Sequence, residues 1–167
     1  RRNLEDAIKS PNFKLYKYSV SDYEFIQKIF IQEDFDFIFH TAALNLLRSL
    51  ENPINDCEIN VLGTIYLLKE LAGSNNQPRF IFSSTGSVYG IPIFENQDEN
   101  HPMSPTSQYG ASKLGANYFA EFWNKYYGLE TISLRYYNVY GPRQSYDSKG
   151  GVVGLFISHL LKGKDLY

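Results

Sequence analysis

Tyr109 and Lys113 are the two residues whose types and spacing most directly permit acid–base chemistry. Because they stand four positions apart at the start of a predicted helix, the phenol and the ammonium share one face. A cation within ~4–6 Å of a tyrosine favours the phenolate and lowers its pKa from the usual value of about 10. The spacing therefore predicts a tyrosine base. With fourteen tyrosines in 167 residues, about one such pair also arises by chance, as a harmless pair on a surface helix.

Hydroxyl and amide side chains form a second set of candidates. Ser83, Ser84 and Thr85 end a predicted strand, where a hydroxyl can relay a proton or bind a substrate oxygen; the alternative is a simple turn. Asn60 and Gly63 lie within a predicted helix, where both are poor choices. They indicate either a kink or close packing against the sheet, or an asparagine that orders water or backbone at an active site.

A cluster of aromatic, amide and guanidinium groups occupies residues 135–143. Its functional interpretation is a nucleotide site, with Arg143 suited to bidentate contact with phosphate. Its structural interpretation is the corner of an edge strand, ended by Gly141 and Pro142. His40, at the end of another predicted strand, is expected to be a packed and hydrogen-bonded histidine rather than a base.

Alternating strands and helices must position these residues. Strands are predicted at residues 13–20, 35–40, 79–84 and 130–135, the second of them buried on both faces. Helices are predicted after Asp22 and at residues 56–71, 108–127 and 155–161. This order favours an α/β fold with a parallel sheet, whose ligands bind beyond the carboxyl ends of the strands. We therefore expect His40, Thr85 and Asn138, with their neighbours, at one edge.

Composition narrows the class of protein further. The chain is 43% hydrophobic and 20% charged, as in folded domains. No apolar run approaches the ~20 residues of a membrane helix, and a net charge of −2 gives no basic face for nucleic acid. Cys57 is the single cysteine, which favours a cytoplasmic setting, and no metal-ligand spacing occurs. The chain opens on arginine without an initiator methionine, which indicates processing or a piece of a longer chain.

Five motifs together resemble the extended short-chain dehydrogenase/reductases, the NAD-dependent epimerase/dehydratase family. They are FIFHTAA at 37–43, NVLGT at 60–64, FIFSSTGSVYG at 80–90, YGASK at 109–113 and LRYYNVYGPRQ at 134–144. The motifs stand in the family's order, and the resemblance extends over about residues 13–165. It is strongest toward nucleotide-sugar epimerases of the UDP-glucose 4-epimerase type.

The resemblance implies a Rossmann-type doubly wound parallel sheet, with residues 1–167 as a partial NAD(P)-binding domain. It assigns catalysis to Thr85, Tyr109 and Lys113. It assigns NAD contacts to Val20, Thr41, Ala42, Ala43, Asn60, Ser83, Ser84, Tyr109, Lys113 and Tyr137, and contacts with a nucleotide-diphosphate sugar to Thr85, Asn138 and Arg143. In the implied reaction Tyr109 removes the proton of a sugar hydroxyl as hydride passes to NAD, and the hydride returns to the opposite face.

The sequence also departs from the family. It lacks the family's first strand and Gly-rich turn, and the C-terminal substrate-binding portion, so we expect a truncated fold that is inactive as this chain alone. Ser19 replaces the usual aspartate at the adenine contact. Gly86 and Ser87 stand where the 4,6-dehydratases carry an acidic pair, which argues against a dehydratase. The sugar, the nucleotide and the choice between NAD and NADP stay open.

Three functions remain compatible with these motifs. The first is a nucleotide-sugar 4-epimerase. The second is a dehydratase, a reductase or a 3,5-epimerase-reductase on the same scaffold. The third is a non-catalytic member that binds a nucleotide, against which the intact Thr85, Tyr109 and Lys113 argue. By resemblance we also expect a homodimer, formed through the helices that begin at Asp56 and Gln108.

Overall fold

A computed structural model describes residues 2–144 and 151–165 of the chain. The chain divides into two units. The sheet unit, Tyr18–Tyr137, holds every strand that the structure describes and most of the helices. The terminal unit consists of the segment up to Lys17 and the segment from Asn138 onward.

The sheet unit alternates strands and helices as the sequence predicts. Its strands are β1 (Phe37–His40), β2 (Arg79–Thr85) and β3 (Thr131–Tyr136). Its helices are α1 (Tyr23–Gln32), α2 (Leu46–Glu51), α3 (Pro53–Cys57), α4 (Gly63–Gly73) and α5 (Gln108–Tyr127), with a π-helical turn at Glu58–Leu62 between α3 and α4. Both strand pairs are parallel, in the order β1-β2-β3. The predicted parallel α/β architecture is confirmed.

The predicted strand at residues 13–20 is wrong. Those residues form neither helix nor strand. Their alternation of apolar and polar side chains is real, but a strand also needs a neighbour that accepts and donates its backbone hydrogen bonds. In the part of the chain that the structure describes, the sheet contains β1, β2 and β3 alone.

The prediction that the β1 segment is buried on both faces is also wrong. His40 is buried, whereas Phe37 is 54% and Phe39 is 68% exposed. Alternate side chains of a strand point to opposite faces, and the helices pack on the face of His40. The core on that face contains Phe80 and Phe82 of β2, Leu68 and Leu71 of α4, and Ala116 and Ala120 of α5.

Local capping explains where two helices begin and end. Asp22 accepts a hydrogen bond from the backbone N–H of Phe25, which starts α1 as predicted. The Ser107 hydroxyl accepts from the N–H of Gly110 at the start of α5. Gly128 ends α5 with φ 72°, a left-handed conformation that glycine adopts without strain. The predicted bounds of this long helix are confirmed, so the position of Tyr109 in its first turn is fixed.

The terminal unit is described by itself. It contains two short 3-10 turns, Arg2–Leu4 and Ala7–Lys9, and the helix α6 (Val152–Leu161), which begins three residues before the predicted start. Among the helices of residues 2–144 and 151–165, none combines the length and the apolar character needed to cross a membrane.

Candidate active site

The carboxyl ends of the three parallel strands bring several of the predicted site residues of the sheet unit to one edge of the sheet. His40 is the last residue of β1, and Thr85 and Tyr136 are paired at the ends of β2 and β3. The 3-10 turn at Gly86–Val88 follows β2 directly, and Thr85 caps it by accepting a hydrogen bond from the N–H of Ser87 at 3.2 Å. This edge is where parallel α/β sheets bind ligands.

Tyr109 lies close to Thr85 in the folded chain. The phenol is partly buried in the first turn of α5, near enough to the Thr85 hydroxyl for that group to affect its pKa. Burial raises the pKa of Tyr109 above its usual value, the Thr85 hydroxyl lowers it, and the charge of Asp56 raises it. Burial dominates, so the pKa of Tyr109 is raised overall, and the expected lowering by Lys113 stays a prediction. In this state Tyr109 holds its proton at neutral pH.

Lys113 is the most unusual charged group of the site. It is 1% exposed, and its Nζ lies 4.1 Å from the centroid of the Phe82 ring. Among the described residues, that nitrogen has no hydrogen-bond partner. Burial lowers the pKa of Lys113 to about 8, while the charge of Asp56 raises it. Burial of an ammonium without hydrogen bonds is unfavourable. A ligand that accepts hydrogen bonds from Lys113 Nζ would relieve this cost.

Ser84 presents a second unsatisfied polar atom. Its side chain is 4% exposed, and its Oγ has no hydrogen-bond partner among the residues that the structure describes. Ser84 lies two positions beyond Phe82 on β2, so both side chains project from the face over which Lys113 lies. A hydroxyl and an ammonium left without partners on one face suit a ligand rich in hydroxyl groups.

Asn60 and Gly63 lie where the predicted helix is interrupted and closely packed, and the role of Asn60 at an active site stays a prediction. A π-helical turn at Glu58–Leu62 separates α3 from α4. A Cβ added to Gly63 would lie 2.7 Å from Val20 Cγ2, so the glycine allows close packing. The Asn60 side chain orders backbone, because its Oδ1 accepts from the N–H of Leu44 at 2.8 Å. Leu44 directly follows the segment 41–43, the predicted cofactor contact.

His40 is packed and hydrogen-bonded, as predicted. Its Nε2 lies 2.9 Å from Thr64 Oγ1, which itself donates to the backbone carbonyl of Asn60 at 2.7 Å. The Thr64 hydroxyl must therefore accept from His40, which places the imidazole proton on Nε2. Burial, and then the charge of Lys113, lower the pKa of His40 to about 3. The ring is neutral and acts as a structural donor.

The remaining predicted residues differ in how they are placed. Thr41 and Ala43 are exposed beyond β1, and Ala42 is half-buried. Ser83 is half-buried on β2. Tyr137 is 55% exposed and donates from its hydroxyl to Gln97 Oε1 at 3.1 Å. Asn138 and Arg143 belong to the terminal unit, where both are exposed. Their predicted contacts with substrate stay predictions.

Sequence reasoning missed the buried carboxylate of Asp56. This side chain is fully buried and accepts hydrogen bonds from Ser49, Asn60 and Gln108. Its charge acts on both Tyr109 and Lys113. One signal was present in the sequence. Asp56 precedes Asn60 by four positions, the spacing that places two helical side chains in contact.

The model of a protein family described as GDP-mannose 4,6 dehydratase matches residues 1–166 of this chain. A protein of Methanocaldococcus jannaschii described as a candidate UDP-glucose 4-epimerase is 38% identical over 93% of this chain and 51% of its own length. The dTDP-D-glucose 4,6-dehydratase of Dictyostelium discoideum is 36% identical over 97% of this chain and 39% of its own length. The chain thus spans about half or less of these relatives.

Solved structures show the same fold. The UDP-glucose 4-epimerase of Thermus thermophilus, solved in complex with NAD, matches with a TM-score of 0.84 and 32% identity over 96% of this chain and 52% of that one. The UDP-glucose 4-epimerase of Thermotoga maritima, solved with UDP-glucose, matches with a TM-score of 0.86 and 34% identity over 94% of this chain and 52% of that one. The predicted Rossmann-type fold is confirmed.

Proposed function

Because this chain belongs to the GDP-mannose 4,6-dehydratase family, within the NAD-dependent epimerases and dehydratases of the extended short-chain dehydrogenase/reductases, we propose that it forms the catalytic part of an NAD-dependent nucleotide-sugar 4-epimerase. The observation that carries the proposal is the buried Lys113 ammonium, which has no hydrogen-bond partner among the described residues and lies one turn along α5 from Tyr109. Relatives solved with NAD and with UDP-glucose support it.

The unsatisfied donors of the site fit a dinucleotide. The ribose hydroxyls of NAD can accept from Lys113 Nζ and exchange hydrogen bonds with Ser84 Oγ, two of the buried side-chain atoms that have no hydrogen-bond partner in the described chain. Bound there, NAD would supply a hydride acceptor that is regenerated in each turnover. Val20, Asn60, Ser83, Tyr137 and the segment 41–43 complete the proposed cofactor contacts.

Tyr109 and Thr85 handle the proton in this proposal. The sugar hydroxyl hydrogen-bonds to Thr85, and Tyr109 takes its proton when the phenol is ionised and returns it when the sugar is reduced. Because burial raises the pKa of Tyr109 in this structure, ionisation needs a positive charge near the phenol. Lys113, on the same face one helical turn away, is the charge that this chain itself contributes.

The packing of Gly86 favours an epimerase over a dehydratase. Gly86 occupies one position of the acidic pair to which water elimination is ascribed in the 4,6-dehydratases. A Cβ added to Gly86 would lie 2.8 Å from two carbons of the Tyr137 ring. An acidic side chain therefore has no room at that position unless Tyr137 moves. A dehydratase remains the second candidate, because relatives of that name match the chain at 36% identity.

We also propose that the protein is a homodimer. On α5, Tyr118, Phe119, Phe122 and Tyr126 share one face and are 36–66% exposed. Exposed aromatic residues grouped on one helix are typical of a protein–protein contact. A second copy presenting the same face would bury them in a symmetric interface.

Replacement of Tyr109 by phenylalanine tests the proposed function in the full-length protein. Tyr109→Phe should lower kcat with UDP-glucose by about 10²–10⁴-fold, the usual contribution of a general base, while NAD affinity stays near that of the wild type. Tyr118→Phe removes the hydroxyl of an exposed tyrosine on the same helix and should change neither quantity. Wild-type turnover in Tyr109→Phe would refute the assignment of the base.

A further inference from the structure

We propose that Asp56 is a positioning residue of this site, whose buried carboxylate fixes the Asn60 amide and adds a negative charge to the part of the fold that contains Lys113. The inference rests on the proposed function only for its effect on turnover. Its structural part concerns the hydrogen bonds among buried residues of the sheet unit. The effect of these hydrogen bonds can be measured without any substrate.

The Asp56 carboxylate is fully enclosed by polar neighbours. Its side chain is 0% exposed. Its Oδ1 accepts from Ser49 Oγ and, at 2.7 Å, from Asn60 Nδ2. Its Oδ2 accepts from Gln108 Nε2 at 3.4 Å. These donors come from α2, from the π-helical turn and from α5, so one carboxylate joins three elements of the sheet unit.

A buried charged side chain connects these elements only at an unfavourable free energy of desolvation. Burial of a carboxylate carries a large desolvation penalty unless a cation pairs with it. Within residues 2–144 and 151–165, no cation lies within ion-pair distance of Asp56. An asparagine would accept from the same Ser49 and Asn60 donors without that penalty. The charge and the hydrogen bonds of Asp56 must therefore be tested separately.

Asn60 transmits the position of Asp56 to the proposed cofactor site. Its Nδ2 donates to Asp56 and, at 3.0 Å, to Ser112 Oγ, while its Oδ1 accepts from the N–H of Leu44. Leu44 continues the segment 41–43, and Ser112 precedes Lys113 on α5. Through one amide, Asp56 thus holds the backbone on one side of the site and α5 on the other.

The charge of Asp56 acts on the two titratable groups of the site, both on α5. It raises the pKa of Lys113 against the larger opposing effect of burial, which keeps the ammonium charged over a wider pH range. It raises the pKa of Tyr109 as well. Ser49, Asn60 and Gln108, the other side chains in contact with the carboxylate, do not titrate. Removal of the charge should therefore change the protonation of Lys113 and Tyr109 together.

Two substitutions separate the charge from the hydrogen bonds, and a third serves as control. Asp56→Asn keeps an acceptor for Ser49 and Asn60 but removes the charge. Asp56→Ala removes both. Glu58→Gln removes the charge of an exposed acid two positions away. In each full-length variant, lysine carbon NMR follows the titration of Lys113, and hydrogen exchange follows the Leu44 amide.

In Asp56→Asn we expect Lys113 to titrate at lower pH than in the wild type, with Leu44 exchange unchanged. In Asp56→Ala we expect the same titration shift and Leu44 exchange about tenfold faster, the size of coupling found in buried networks. Glu58→Gln should match the wild type in both. If Lys113 titrates in Asp56→Asn as in the wild type, the charge role is refuted. Unchanged Leu44 exchange in a folded Asp56→Ala protein overturns the positioning role.

Turnover provides a separate readout. If the proposed function holds, Asp56→Asn should lower kcat about tenfold with KM for UDP-glucose unchanged, since no contact with the sugar is lost. A wild-type kcat in Asp56→Asn overturns the contribution of the Asp56 charge to turnover, and the Leu44 exchange in Asp56→Ala decides the positioning role. A wild-type protein without epimerase activity would instead contradict the proposed function, and the Lys113 titration would still decide the role of Asp56.

Discussion

The ammonium nitrogen of Lys113 lies 4.1 Å from the centroid of the Phe82 ring, and among the described residues it has no hydrogen-bond partner. The ring face stabilises the cation by attraction to its negative quadrupole. It does not use any of the three N–H donors. The site therefore holds a positive charge whose N–H donors are left for a bound molecule, as expected if Lys113 contacts the ribose of NAD in the proposed function.

A substitution at Ser84 tests whether these buried polar atoms without hydrogen-bond partners bind the cofactor. Ser84→Ala removes a buried hydroxyl that makes no hydrogen bond with the described chain, so the unliganded protein should keep its stability or gain up to about 1 kcal/mol. NAD affinity should fall about tenfold, as for one lost hydrogen bond. Chemical denaturation and calorimetric titration of the full-length protein measure the two quantities.

Ser112→Ala is the matched control for Ser84→Ala. Ser112 is also buried, but its Oγ accepts from Asn60 and donates to the Tyr109 carbonyl. Its loss should therefore destabilise the protein by about 1–2 kcal/mol. Equal destabilisation in the two variants would show that Ser84 has a partner within the fold, and would contradict its assignment to the cofactor.

Gly63 should resist even the smallest substitution. In Gly63→Ala the new methyl group would lie 2.7 Å from Val20 Cγ2 and 3.2 Å from the Val20 carbonyl, which should destabilise the protein by about 1–3 kcal/mol. In Gly73→Ala, at the end of the same helix, no atom of the described residues lies within 4 Å of the new methyl group, and helix propensity should stabilise the protein by about 0.5–1 kcal/mol. Urea denaturation that gives the same sign for both variants would contradict this packing.

His40 should make the protein sensitive to acid. Its pKa is lowered from 6.5 to about 3 in the folded state, so below pH 6.5 the unfolded chain binds a proton that the folded chain does not. The full contribution of neutral His40 to the free energy of unfolding is therefore present above pH 6.5. As the pH drops below 6.5 this free energy decreases, by about 2 kcal/mol at about pH 5. His40→Gln, which can still donate to Thr64, should show a smaller decline between these two pH values. An identical decline in the variant would mean that other groups cause the acid sensitivity.

Phe122 tests the proposed dimer. Phe122→Glu places a charge at the centre of the exposed aromatic face of α5, and light scattering should then report a monomer where the wild type is a dimer. Ile31→Glu changes an apolar residue that is 84% exposed on α1 and should leave the dimer intact. A dimer that persists in Phe122→Glu would exclude this face.

Local patterns in the sequence predicted most of the architecture. The helix at 108–127 and the strand that begins at residue 79 follow from periodicity, from Gly128 and from a compact apolar run, which act over a few neighbours along the chain. The failures came from partners distant in sequence. The segment 13–20 has the alternation of a strand, but no strand of the described sheet pairs with it. Phe39 is exposed because the described helices pack on the opposite face of β1. A short apolar run does not indicate which face of a strand a helix will cover.

The sequence indicated most of the candidate site residues but did not reveal how burial and charge affect them. Tyr109, Thr85 and Lys113 follow from motifs, and the structure places Tyr109 near Thr85. The spacing of Tyr109 and Lys113 did not reveal that burial raises the pKa of Tyr109 in this structure. Asp56 was missed for the same reason. Its partners Ser49 and Gln108 come from other helices, so only the folded chain shows the buried network.

The fate of the hydrogen at the reacting carbon tests the central claim most directly. UDP-glucose that carries deuterium at C4 would be incubated with the full-length protein, and the nucleotide sugar would be analysed by mass spectrometry and NMR. Transient oxidation in a closed site predicts the C4 epimer with deuterium kept at C4 and no reduced nicotinamide released. A product with deuterium replaced by solvent hydrogen, or a 4-keto-6-deoxy sugar, would contradict the account.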